Sequence, residues 1–115
     1  MISNYPKLLN YVHETMSAIG KEAPTTMSGF MQMHQAGSTD GALSAKMKEL
    51  IALAIGISCR CDGCIAFHTH DALKAGATHA EVIDAIGVAI LMGGGPAVVY
   101  GAQALDALKQ FEETV

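Results

Sequence analysis

All three cysteines of this 115-residue chain, and two of its five histidines, fall in one run, Cys59–His70, reading CRCDGCIAFHTH. Within it Cys61-Asp62-Gly63-Cys64 is a CxxC pair, and His68 follows Cys64 by one helical turn. At 100° of rotation per residue, a helix starting near Asp62 places Cys61, Cys64 and His68 within roughly 60° of arc. Two thiols and an imidazole then share one face. The positive end of a helix dipole favours thiolate, which is the state expected of Cys61 at the helix start. A CxxC at that place also permits a disulfide. His68, one turn from Cys64, is suited to exchanging a proton with its sulfur. Glu49 is the only acid between Asp40 and Asp62. It can orient His68, or a bridging water, if its helix forms an antiparallel hairpin with the CxxC helix. The short link around Ser58–Cys61 is consistent with that hairpin.

Other chemistries fit less well. Cys59, Cys61, Cys64 and His68 are formally a Cys3His set, but most tetrahedral zinc sites draw ligand pairs from two separated segments, so no metal is expected. Gly93-Gly94-Gly95 lacks the following Lys-Ser/Thr of a phosphate loop and reads as a turn and close-packing device. No cofactor is expected. The net charge of −4 and the lack of a basic run leave nucleic-acid binding without an electrostatic footprint. The N-terminal MISNYPKLLNYVHE lacks the basic and then apolar segments of a signal peptide. A cytoplasmic location is therefore expected, where a CxxC reads as redox or metal chemistry rather than as a structural staple.

The elements that must position these residues are helical. Pro6 suits a first helix with Leu8, Leu9, Val12, Met16 and Ile19 on one face, ended by Gly20. Pro24 opens a second, striped by Met27, Phe30, Met31 and His34. Ser44 is a suitable N-cap for a third, to about Ile57, whose second half has no polar side chain and is expected to be buried on every side. The CxxC helix stops at Gly76. Thr78-His79-Ala80-Glu81 has capping-box spacing and starts a fifth helix, apolar nearly all round. Pro96 restarts the chain into a last helix. From Ala85 to Ala102 no residue is charged, but the glycines and Pro96 break that stretch, so two short buried helices are expected rather than a membrane span. With no alternating strand pattern of useful length, one all-α domain over residues 1–115 with about six helices is expected. Two helices buried all round exceed what so small a core can cover, which points to a homo-oligomer.

Glu49, Cys61, Cys64 and His68 together reproduce the spacing E-x11-C-x2-C-x3-H. This pattern resembles the alkylhydroperoxidase D-like (AhpD-like) branch of the carboxymuconolactone decarboxylase superfamily. The flanking LSAKMKELIALAIGIS and CIAFHTHDALKAGATHAEVIDAIGVAILMGGGP are similar to it as well, so the resemblance covers roughly Ala42 to Leu108. It implies an all-α fold assembled as trimers or hexamers. It also implies peroxide reduction, with Cys61 and Cys64 cycling between dithiol and disulfide and Glu49 and His68 relaying protons. The residues alone leave open which sulfur meets peroxide, because Cys61 has the better dipole position and Cys64 the nearer base. By resemblance Cys64 meets it and Cys61 resolves. The best-studied branch has a histidine immediately before the second cysteine, where this chain has Gly63, so the relay is shorter or completed by water. The decarboxylase branch does not rely on a CxxC.

The expectation is thus a small antioxidant thiol oxidoreductase. Its oxidants are hydroperoxides and its reductant a dithiol or lipoyl-type protein. The alternatives are a redox-sensing or structural oligomer that turns over no peroxide, and a decarboxylase- or isomerase-like enzyme on a small lactone using Glu49 and His68. Of the remaining candidates, Cys59 reads as a buried small hydrophobe or a backup disulfide partner, and His34 as a satisfied core histidine or a residue lining the pocket from a neighbouring helix. His70 reads as a surface or interface residue, His13 and His79 as helix-surface residues, and Met27, Met31, Met33 and Met47 as core filling.

Overall fold

The computed structural model describes residues 3–114. They form α1 (Tyr5–Glu22), α2 (Pro24–Ser38), α3 (Ala45–Ser58), α4 (Asp62–Lys74), α5 (His79–Gly93) and α6 (Gly95–Thr114), with no strand among them. The starts of α1, α3 and α5 have local causes. The Asn4 carboxamide oxygen accepts the Lys7 N–H at 3.0 Å, with Pro6 in the first turn of α1. The Ser44 hydroxyl accepts the Met47 N–H at 3.1 Å and opens α3. Thr78 and Glu81 close a reciprocal capping box at α5. Glu81 also pairs with Lys46 of α3 at 2.9 Å. The Thr78 backbone N–H first, and then Lys46, hold its carboxyl below the usual range. That tie is in place at neutral pH and is lost as pH falls through the lowered pKa.

α3 and α4 make the most extensive helix contact, and the link between them is tightly built. The Arg60 N–H donates to the Ile57 carbonyl at 3.1 Å and the Cys61 N–H to that of Gly56 at 3.0 Å. This is a Schellman turn, and the same pair of bonds ends α4 at Gly76 and Ala77. At α4 the left-handed position is a glycine (φ 98°), whereas at α3 it is Arg60 (φ 56°). A left-handed non-glycine residue costs roughly 1–2 kcal/mol, partly offset by the entropy a glycine loses on folding. Arg60→Gly is therefore expected to stabilise the protein by about 0.5–1 kcal/mol. A thermal melt should show a midpoint a few degrees higher.

The core draws Leu50, Leu53 and Ile57 from α3, Ile65, Ala66 and Ala72 from α4, Val82, Ile86 and Ala89 from α5, and Ala104, Leu108 and Phe111 from α6. Small residues let the helices close up: a Cβ added at Gly101 would lie 3.0 Å from Ile86 Cγ2. α1 joins this core through Tyr5 and Leu9. Its start is clamped to α6, because the Tyr5 N–H donates to Gln110 Oε1 at 2.8 Å and Gln110 Nε2 donates to the Ser3 carbonyl at 2.9 Å. α2 buries no residue and lies against α1 and α3 as a cover.

Several expectations need correcting. α1 continues past Gly20 to Glu22, since one glycine weakens a helix without ending it. The last helix starts at Gly95, and the break falls at Gly94, whose φ of 67° and ψ of −144° suit glycine. With that break, none of the described helices is long and apolar enough to cross a membrane. Neither apolar helix is buried all round: Ile51 and Ile55 of α3 are exposed, as are Val88, Leu91 and Met92 of α5. Met31, Met33 and Met47 are exposed too, and are not core filling. Apolar composition identifies surface that seeks cover and does not say whether the cover comes from within the chain.

Candidate active site

Glu49 lies on α3 one turn after the Ser44 cap and is buried, with 6% of its surface exposed. From α4, His68 places Nδ1 2.7 Å from Glu49 Oε2. An ionised carboxylate only accepts, so Nδ1 carries the proton of that bond and Nε2 is the nitrogen left to exchange protons. The carboxylate fixes both the tautomer and the direction in which the ring points.

The cysteines are set by the Schellman turn. It delivers Cys61 in extended conformation as the N-cap of α4, where its Sγ accepts the Cys64 N–H at 3.1 Å. Cys61 and Cys64 are joined in a disulfide with their Cα atoms 5.1 Å apart. On reduction, the Cys61 sulfur stays at the positive end of the helix with an N–H directed at it, which favours its thiolate. Sequence reasoning misses Gly56, and it singles out Gly63 as a departure from the motif without showing what packs against it. A Cβ added at Gly56 would lie 3.1 Å from Cys64 Cβ, so Gly56 is what lets α3 pass so close to the second cysteine. A Cβ added at Gly63 would lie 3.2 Å from Val12 Cγ2, so α1 packs closely against that position. Gly63→His is therefore expected to destabilise by about 1–3 kcal/mol through overpacking. Chemical denaturation should show most of that loss recovered by adding Val12→Ala.

Cys61, Cys64 and His68 open onto a cavity of about 240 Å3 whose apolar walls are Val12, Met16, Phe30 and Phe67. On the other side of His68 a cavity of about 200 Å3 is lined by Glu49, Lys48 and Ala52. His34 of α2 borders both. A larger hollow between α1 and α2, about 530 Å3, contains none of the four motif residues but shares Met16 and Phe67 with the cysteine cavity. Phe67 is a further residue not singled out by its spacing. Its ring meets those of His13, His34 and His68 edge-on, with centroids 5.5, 5.6 and 5.2 Å away.

The structure thus brings Glu49, Cys61, Cys64 and His68 together. Cys59 stands apart as an exposed free thiol at the C-cap of α3, not a buried hydrophobe, because the turn points it outward. Among the described residues, no group of three or more His, Cys, Asp and Glu is arranged to hold a metal ion. His70 pairs with Asp71 at 2.9 Å and packs on Phe111, and His79 pairs with Glu112 at 3.0 Å. His34 is not a satisfied core histidine: its Nε2 is buried without a hydrogen-bond partner among the described residues.

The site of this all-α fold is a CxxC disulfide at the head of one helix beside a buried carboxylate–imidazole pair from a helical hairpin. The chain belongs to the carboxymuconolactone decarboxylase family, whose sequence profile matches residues 24–107. A carboxymuconolactone decarboxylase family protein from Legionella pneumophila, solved in its apo form, superposes with a TM-score of 0.90 at 39% identity, covering 93% of this chain and 96% of that one. A Thermotoga maritima member superposes with a TM-score of 0.83 at 24% identity, covering 92% and 91% of the two chains, and has been suggested to act in an antioxidative response. An uncharacterized protein of Cupriavidus necator is 37% identical over 94% of this chain and 98% of its own length.

Proposed function

We propose that this protein is a thiol-dependent peroxidase of antioxidant defence, reducing hydroperoxides through a Cys61–Cys64 dithiol–disulfide cycle with Glu49–His68 as proton relay. One observation carries the reading: the buried Glu49 carboxylate bonded to His68 at 2.7 Å, on the same helix face as a formed CxxC disulfide. A buried carboxylate–imidazole pair is costly to build for packing alone and is well suited to moving protons. The antioxidative role suggested for the Thermotoga maritima relative agrees with it.

The Cys64 thiolate attacks the distal peroxide oxygen, the O–O bond breaks, Cys64 becomes a sulfenic acid, and the leaving oxygen takes up a proton and departs as alcohol or water. The Cys61 thiolate, held by the helix N-terminus, then attacks that sulfur and expels hydroxide, which leaves as water after taking a proton from His68. A dithiol or lipoyl-type protein restores both thiols by exchange. This cycle suits the cytoplasm, where such donors are kept reduced. The exposed Ile51, Ile55, Val88, Leu91 and Met92 are the surface on which copies of the chain assemble. Light scattering is expected to find a trimer or hexamer, and Leu91→Glu to shift it toward smaller species.

The functional test is hydroperoxide consumption with dithiothreitol or dihydrolipoamide as donor. Sustained turnover is the expected result. A disulfide that forms and reduces freely with no peroxide consumed would leave a redox-sensing assembly instead.

A further inference from the structure

We infer that His34 is a third proton-transfer residue of this centre, donating the proton that the leaving oxygen of the hydroperoxide takes up. The inference rests on the peroxidase reading above. His34 comes from α2, outside the hairpin that carries the motif, and α2 buries no residue in the core. Its Nε2 is nonetheless buried and unpaired among the described residues. A buried polar atom without a partner costs about 1–3 kcal/mol, so its retention calls for a reason. The ring is held in place: Phe67 meets it edge-on at 5.6 Å and 88°, Phe30 lies 6.4 Å away, and its backbone carbonyl accepts the Ser38 hydroxyl at 2.7 Å.

What it faces gives the reason. His34 shares the 240 Å3 cavity with Cys61, Cys64 and His68, and the adjoining one with Glu49 and Lys48. α1 brings only Val12 and Met16 to the cysteine cavity, and its His13 lies across Phe67. One peroxide reduction needs two protons. The first goes to the alkoxide or hydroxide that leaves when the O–O bond breaks, the second to the hydroxide that leaves the sulfenic acid. His68 is tied to Glu49 through Nδ1 and serves the second. Gly63 brings no side chain to serve the first. An imidazole across the cavity can. In balanced form, Cys64 thiolate, ROOH and protonated His34 give Cys64 sulfenic acid, ROH and neutral His34. Cys61 thiolate, the sulfenic acid and a proton from His68 then give the disulfide and water. Sulfur loses two electrons and the peroxide gains them.

The test is the pH dependence of a single turnover. The reduced protein is mixed with cumene hydroperoxide, and formation of the alcohol, which reports O–O cleavage and not the later step served by His68, is followed for the natural chain, His34→Gln and His34→Phe. Reduction of each disulfide by dithiothreitol serves as a check that the centre is intact. In the natural chain the rate should rise with pH as thiolate forms and fall again as the imidazole loses its proton. His34→Gln keeps a hydrogen-bonding atom near Nε2 but no titrating proton, so it should keep the rise, lose the fall, and run about 10- to 100-fold slower at neutral pH. His34→Phe, if it folds, should be slower still with dithiothreitol exchange unchanged. An active natural chain with no alkaline fall, or His34→Gln with an unaltered profile and rate, overturns the role of His34 alone. A natural chain that does not react with the hydroperoxide removes the peroxidase reading, and this inference with it.

Discussion

The reduced Cys64→Ser protein is expected to consume no hydroperoxide above the solvent rate, whereas Cys61→Ser is expected to complete one oxidation and stop. The asymmetry follows from their places in α4. Cys61 is the N-cap, its sulfur accepting the Cys64 N–H. Serine, itself a favoured N-cap, preserves the helix start while removing the resolving thiolate. Cys64 lies inside the first turn of α4, where Gly56 brings α3 up against it. Without Cys61, the oxidation stops at sulfenic acid on Cys64, which dimedone trapping and mass spectrometry would locate. Steady turnover should be lost in both variants, and only the first-turnover burst should tell them apart. A full burst in Cys64→Ser and none in Cys61→Ser would reverse the roles.

His68→Ala has the second large effect, and it acts on both rate and stability. General acid–base catalysis contributes typically 10²–10⁴-fold, so turnover should fall by about 10²-fold or more. The same change leaves Glu49 buried and without its partner. Breaking a fully buried pair costs about 3–5 kcal/mol. His68 keeps 21% of its side chain accessible against 8% for Glu49, so water can reach part of the gap and about 2–3 kcal/mol is expected. The double variant Glu49→Met with His68→Phe replaces the pair by apolar groups of similar size. Urea unfolding should show much of the lost stability recovered, while turnover stays lost. Recovery of turnover in the double variant would remove Glu49–His68 from the chemistry.

The parts of the molecule legible in the sequence are those written in local spacing. Pro6, Ser44 and the Thr78–Glu81 box mark helix starts because capping is settled within one turn. The meeting of Glu49 with His68 follows from the short link between two helices, which forces them antiparallel and sets one acid opposite one imidazole. What spacing does not carry is the neighbour from elsewhere in the chain. His34 sits on an apolar stripe like any core histidine, and only the placement of α2 shows that its Nε2 is unpaired among the described residues and that the residue borders the cysteine cavity. Gly56 looks like an ordinary helix glycine until Cys64 is seen against it, and the packing of Val12 on Gly63 is equally absent from local spacing. The exposed faces of α3 and α5 show the same limit, since apolar residues report a need for cover without naming what provides it.

The most direct test of the peroxidase claim is a single-turnover titration. Fully reduced protein is mixed with one equivalent of hydroperoxide, the reaction is quenched with an alkylating agent, and products are read by peptide mass spectrometry and alcohol quantitation. The expected result is one alcohol formed per chain, Cys61 and Cys64 joined, and Cys59 alkylated as a free thiol, at a rate far above that of a small thiol under the same conditions. Peroxide left intact beside reduced Cys61 and Cys64, in protein whose disulfide forms readily with oxidised lipoamide, would contradict it.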